Sequence, residues 1–110
     1  MTVAMLQKAL RCRSFTLPAP DTPVTGGYVG DLLSWVMGRA ATGDAWVTIM
    51  SNANVAAVAL MTDVACVILS EGVQPDEALL SRAEQQGINL LGSDKSSFDT
   101  SKEIAAFLGS

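Results

Sequence analysis

The sequence predicts an α/β fold: a single domain, residues 1–110, whose largely parallel central sheet of about five strands is flanked by helices. Three observations predict it. Strand-like runs alternate with helical runs of about 8 to 12 residues along the chain, the pattern of βαβ units. The runs "AWVTIM" (45–50) and "VACVIL" (64–69) read as strands. A length of 110 residues suits one domain, and no internal repeat or low-complexity segment interrupts it.

The elements follow in order. Thr2 can cap a short helix with Val3, Leu6 and Leu10 on one face. "RCRSFTL" (11–17) alternates polar and apolar residues and reads as a short strand. "PAPDTP" (18–23) holds three prolines and too few backbone donors for regular structure, so it is a loop. Val24 to Tyr28 resumes as a strand. Asp31 to Ala40 is a helix with Asp31 as its cap, and Leu32, Leu33, Val36, Met37 and Ala40 fall on one arc. Trp35 lies about 130° from the middle of that arc, where another element covers it or a contact uses it.

"ATGD" (41–44) turns the chain into the strand 45–50. Asn52 or Asn54 can cap the next segment, Val55 to Leu60. That segment is apolar all round, and it is read as a helix because the better strand, 64–69, follows it directly. Ser70, Glu71 and Gly72 turn the chain again. Pro75, Asp76 and Glu77 open the clearest helix, with a proline in the first turn and acids near the positive end of its dipole. Leu79, Leu80 and Ala83 face inward, and Gly87 ends it. "INLLG" (88–92) is the last strand. Ser96 or Ser97 begins a final helix, with Phe98, Ser101, Ala105 and Leu108 along one face.

Composition narrows the function classes. Hydrophobic residues make up 49% and charged residues 16%, with a net charge of −4. So short and apolar a chain has a high surface-to-volume ratio and exposes area that a second copy would cover, so a homodimer is expected. No basic stripe interleaved with aromatics is present, which argues against nucleic acid. The longest apolar runs, Val55 to Met61 and Val64 to Leu69, fall far short of the ~20 residues that span a bilayer, so no membrane association is expected. Cys12 and Cys66 form no CxxC, and in an intracellular setting both are reduced. Histidine is absent, which removes the commonest general base, and with two isolated cysteines no metal site is expected.

In a parallel sheet, ligands sit beyond the carboxyl ends of the strands. The expected ends carry "TGGY", "SNAN" and "SEG". The first belongs to "VTGGYVGDLLSWVMG" (24–38), which could be a phosphate cradle, a catalytic loop or a tight turn. A phosphate loop needs a lysine that is missing here. The dinucleotide fingerprint needs Gly-x-Gly-x-x-Gly, and Gly26-Gly27 is the wrong start. Asp31 would repel a phosphate. The stretch therefore reads as a turn first and a binding edge second, with Gly26 or Gly27 at positive φ or close to a neighbouring backbone. Candidate ligand-binding residues are Thr25, Gly26, Gly27, Tyr28, Asp31, Ser51, Asn52, Asn54 and Glu71. Asp31 and Glu71 could instead pair as catalytic carboxylates, although an N-cap and a loop acid are the plainer roles. Ser51 and Asn54 both donate and accept hydrogen bonds, which suits a neutral or heteroaromatic ligand group.

"VTGGYVGDLLSWVMGRA", "GDAWVTIMSNANVAAVA" and "ACVILSEGVQPDEALLSRAEQQGINLLGSD" together resemble the DRTGG domain family, from roughly Val3 to Leu108. "DTPVTGG" keeps Asp21 and Thr25-Gly26-Gly27, with a different spacing and no arginine. Relatives often carry Gln, Ser, His and Asn where this chain has Met50, Ser51, Asn52 and Asn54, and loss of the histidine argues against acid–base or metal chemistry. The resemblance implies a fold like the N-terminal domain of HPr kinase/phosphorylase, itself similar to the N-terminal domains of the Mur ligases. It also implies a regulatory role beside catalytic domains, with no settled ligand. The expectation is a cytoplasmic, non-catalytic module that needs no cofactor. As a homodimer it would bind a small molecule, nucleotide-like ligands included, or a partner enzyme at the strand-end edge. The alternatives are a small enzyme using Asp31 and Glu71, and a scaffold subunit without ligand.

Overall fold

Two strands, β3 (Asp44–Thr48) and β4 (Cys66–Leu69), are buried at every position, which places them at the centre of the sheet. The computed structural model describes residues 1–109, and its strand order is β1-β5-β4-β3-β2. β2 (Gly26–Val29), β3, β4 and β5 (Leu90–Gly92) run parallel. β1 (Arg13–Thr16) joins the outer side of β5 antiparallel, so the sheet is mixed with a parallel majority.

Helices cover both faces. On one, α1 (Val3–Leu10) and α5 (Ser97–Gly109) pack Val3, Leu6, Leu10 and Ile104 against Ala45, Val47, Cys66, Ile68 and Leu91. On the other, α2 (Leu33–Arg39), α3 (Asn54–Thr62) and α4 (Glu77–Gln86) cover Trp46, Val67, Leu69 and Leu90. Alternation along β3 sends Trp46 to one face and Ala45 and Val47 to the other. The expected helix caps appear at both ends of this series. The Thr2 side chain accepts from the Met5 N–H at 3.2 Å, and Gly87 ends α4 at φ 72°.

Two helices differ from expectation. Of the arc expected on α2, only Val36 is fully buried; Leu32 and Met37 are exposed. The sheet stops at β2, so α2 sits over its rim and packs on α3. On α5 the inward line passes through Thr100 and Ile104, while Phe98 is 76% exposed. Ser101, Ala105 and Leu108 instead border a groove beside β2.

Candidate functional site

Because β2 to β5 are parallel, the segments that follow them share one edge of the domain. These are Gly30–Asp31, Ile49–Asn54, Ser70–Gly72 and Ser93–Lys95. Asp31 does not cap α2, whose cap residue is Leu32 and makes no side-chain bond. Its carboxylate instead accepts from the Thr48 hydroxyl at 2.8 Å and the Ile49 N–H at 2.9 Å. β3 runs out there, and its last donors need an acceptor that the neighbouring chain supplies.

Glu71 accepts from the Ser97 N–H at 2.8 Å and so satisfies the start of α5. It adopts φ 61°, followed by Gly72 at φ 72°, and this tight left-handed pair turns the chain back toward β5. The Glu71 and Gly72 amides donate to Lys95 and Ser93 carbonyls. Behind them, the Ser70 and Ser97 hydroxyls are 2.6 Å apart, and those of Ser93 and Thr100 are 3.0 Å apart. The sequence does not signal this hydroxyl network, because Ser70 is far in sequence from Ser93, Ser97 and Thr100 and all four are ordinary as residue types.

Asp31 follows β2 and Glu71 follows β4, with β3 between them, and each carboxylate accepts from a different backbone amide.

Ser51 donates to the Asp76 carboxylate at 3.2 Å. Asn52 accepts from the Asn54 N–H at 2.9 Å and closes the turn that starts α3. Asn54 is the first residue of that helix and is exposed. Tyr28 is half-buried, and its ring lies where a side chain on Gly30 would be. Tyr28 and Asp31, with Val29, Leu32 and Trp35, line an open depression of about 410 Å³; Ser51, Asn52 and Asn54 are not among its walls. The Arg39 guanidinium lies 3.9 Å from the centre of the Trp35 ring.

Thr25 and Gly26 sit at the opposite, amino-terminal end of β2 and are not brought to this edge. They interlock with the start of β3. A side chain on Gly43, which has φ 86°, would collide with the Thr25 hydroxyl, and a Cβ on Gly26 would lie 2.6 Å from the Asp44 carboxylate. Asp44 is buried, and its other oxygen accepts from the Ala41 N–H at 2.8 Å. Neither Gly26 nor Gly27 has the positive φ considered for them, and at Gly27 a Cβ would meet only ordinary 3.6 Å contacts. The double glycine is therefore a packing device at its first position and unexplained within the chain at its second.

The edge as a whole offers an aromatic ring, an amide, hydroxyls and a carboxylate. These can stack and hydrogen-bond a small ligand. Among the described residues, no group of three or more His, Cys, Asp or Glu gathers as a metal site, and no helix is long and apolar enough to cross a membrane.

The sequence profile of the DRTGG domain matches residues 31–107. The match begins just past the double glycine and runs from the turn before α2 into the last turns of α5. No curated protein matches the chain. Among solved structures, it is similar to the CBS and DRTGG domains of the regulatory region of Clostridium perfringens pyrophosphatase, complexed with the activator diadenosine tetraphosphate. The TM-score is 0.71 at 16% identity, over 90% of this chain and 44% of that one. At that identity the likeness speaks for the fold, and this chain spans less than half of its neighbour's length. With the profile covering well over half of its residues, the chain belongs to the DRTGG domain family.

Proposed function

We propose that this chain is a non-catalytic regulatory module of the cytoplasm that works as a homodimer and binds a small, nucleotide-like molecule at its strand-end edge. The observation that carries the reading is its kinship with a regulatory region captured with an activating nucleotide. The chemistry of the edge supports it. Tyr28 offers a face for stacking, and Ser51 and Asn54 offer groups that both donate and accept. The enzyme alternative loses support because Asp31 and Glu71 each hold a separate backbone amide. Two buried cysteines without a disulfide fit a reducing compartment.

Thermal-shift measurements test the reading. The wild type and a Ser51→Ala/Asn54→Ala double variant are screened together against diadenosine tetraphosphate, mononucleotides and common metabolites. A ligand at 100 times its Kd stabilises the folded state by about 2.7 kcal/mol, enough to read as a clear rise in Tm. The expected result is such a rise in the wild type and none in the double variant. Equal shifts in both would move the site away from Ser51 and Asn54. No shift with any compound would remove the sensing function.

A further inference from the structure

Gly27 has no role within its own chain, and it lies beside an exposed valine on an open strand. Together with Ser101, Ala105 and Leu108 of α5 it borders a groove of about 210 Å³ that is mostly apolar. Two places along β2, Val29 is 52% exposed on the same face of the strand. From Val24 to Gly30 the segment "VTGGYVG" holds no charge and no proline, the usual guards of a sheet edge, and β3 is its only neighbour in the sheet. We infer that β2 pairs antiparallel with β2 of a second copy across a two-fold axis at Tyr28, so that Val29 of each copy stands over Gly27 of the other. The inference rests on the homodimeric part of the proposed function and gives it a geometry.

The backbone selects the axis. Val29 is in register with Val47, and the Gly30 N–H donates to the Val47 carbonyl. By alternation Tyr28 and Gly30 turn their backbone groups toward β3, while Gly27 and Val29 turn theirs outward. The open edge is short. At its start the Val24 N–H is bonded to Met1 and the Thr25 N–H to Gly43. At its end the chain leaves the sheet for α2, which begins at Leu33. An axis at Tyr28 sets Gly27 opposite the second copy's Val29, and each such pair exchanges both hydrogen bonds. An axis at Gly27 would set Val29 against Thr25, whose N–H is already taken. An axis at Val29 would set Gly27 against Asp31, which lies past the strand and is tied by its carboxylate to the end of β3. Of the three, only the Tyr28 axis pairs outward groups of the strand with one another.

The same axis makes the side chains complementary. A side chain at position 27 would stand between the groove and the second copy's Val29; a glycine leaves that space to the valine. Two-fold symmetry makes the fit reciprocal, since each copy supplies one glycine and one valine. Tyr28 meets its own copy as a non-hydrogen-bonded pair, where aromatic residues stabilise a sheet. Asp31 falls opposite the second copy's Thr25, so no like charges meet. Because both halves of this fit come from one strand, the occupant is a second copy of this chain.

Cysteine pairs test the register directly. Opposed residues of a hydrogen-bonded pair have Cα atoms about 5.5 Å apart, within disulfide reach, whereas diagonal neighbours lie about 7–8 Å apart, beyond it. Position 27 has room for the new Cβ within the chain, and the native Cys12 and Cys66 are buried. Under mild oxidation Gly27→Cys and Val29→Cys should each stay uncrosslinked alone, and their equimolar mixture should give a disulfide-linked heterodimer. Efficient crosslinking of either variant alone, or none in the mixture, would overturn the register. Two measurements on the wild type need no variant. Sedimentation at tens of micromolar should give a dimer, and hydrogen exchange should show the Gly27 and Val29 amides protected in it and unprotected on dilution. A dimer whose Gly27 and Val29 amides exchange freely would overturn this interface and keep the homodimer. A monomer would overturn both, and if it still showed a nucleotide-induced thermal shift, ligand binding would stand.

Discussion

Asp44 is the reason that residue 26 is a glycine. Its carboxylate occupies the place where a Cβ would stand, and it cannot swing aside without giving up its bond to Ala41. Gly26→Ala should therefore destabilise the domain by roughly 1–3 kcal/mol, the range for disturbing a buried, hydrogen-bonded charge. Gly27→Ala should leave folding stability within about 0.5 kcal/mol, since its Cβ finds ordinary space and the unfolded chain loses some freedom. Urea denaturation of the two variants at low protein concentration separates them, and an equal loss in both would refute the interlock. The sequence made it legible that a glycine pair serves geometry, but not which glycine. That depends on which residue lies across the strand pair, and position 44 becomes its neighbour only after β2 and β3 have met in register. Asp31 teaches the same point. It stands where a helix cap is expected, yet Thr48 and Ile49 hold it, because a strand end beside it offers better-placed donors.

At the scale of elements, α5 is held at its start by Glu71 and along its length by Ile104. Glu71→Ala leaves the Ser97 N–H without its acceptor and should cost about 0.5–2 kcal/mol, the usual effect of losing a helix cap. Ile104 is 4% exposed and packs into the sheet, so Ile104→Ala should cost about 2–5 kcal/mol, while Phe98→Ala at 76% exposure should be nearly neutral. Chemical denaturation with an unchanged m-value would check this order, and a larger loss for Phe98→Ala would mean that the sequence-derived face of α5 was the correct one. That face was misread because α5 is only weakly amphipathic: Thr100 is buried with its hydroxyl bonded to Ser93, and a threonine at a core position carries no apolar signal. By contrast the cap of α1 at Thr2 and the end of α4 at Gly87 were legible from local chemistry alone, although α4 begins at Glu77 and leaves Pro75 ahead of its Asp76 cap rather than in its first turn.

The whole molecule was legible as alternating elements, but not in the direction of its first strand. Hydrophobic periodicity is the same whichever way a strand runs, so the antiparallel entry of β1 beside β5 becomes visible only from their pairing. The layers built around that sheet enclose both cysteines. Burial pushes the Cys12 thiol from the ordinary 9.0 to about 11, with the Glu103 carboxylate adding to the effect and Lys95 opposing it. Burial raises the Cys66 thiol still further, with Cys12 contributing. In the unfolded chain both thiols ionise near 9.0, so above that pH the unfolded state binds fewer protons than the folded one. Stability from these groups is then complete below about pH 9 and is lost as pH climbs through the folded value of Cys12, about 11. The urea midpoint should hold steady from pH 7 to 8.5 and fall from pH 9 upward. A Cys12→Ala/Cys66→Ala variant, compared over the same range, should fall less steeply, because only the thiol contribution has been removed. In the native state at pH 8, neither thiol should react with a disulfide reagent until the protein unfolds. Parallel alkaline slopes for the two proteins, or rapid labelling of the folded wild type, would show that the layers do not close over the sheet as described.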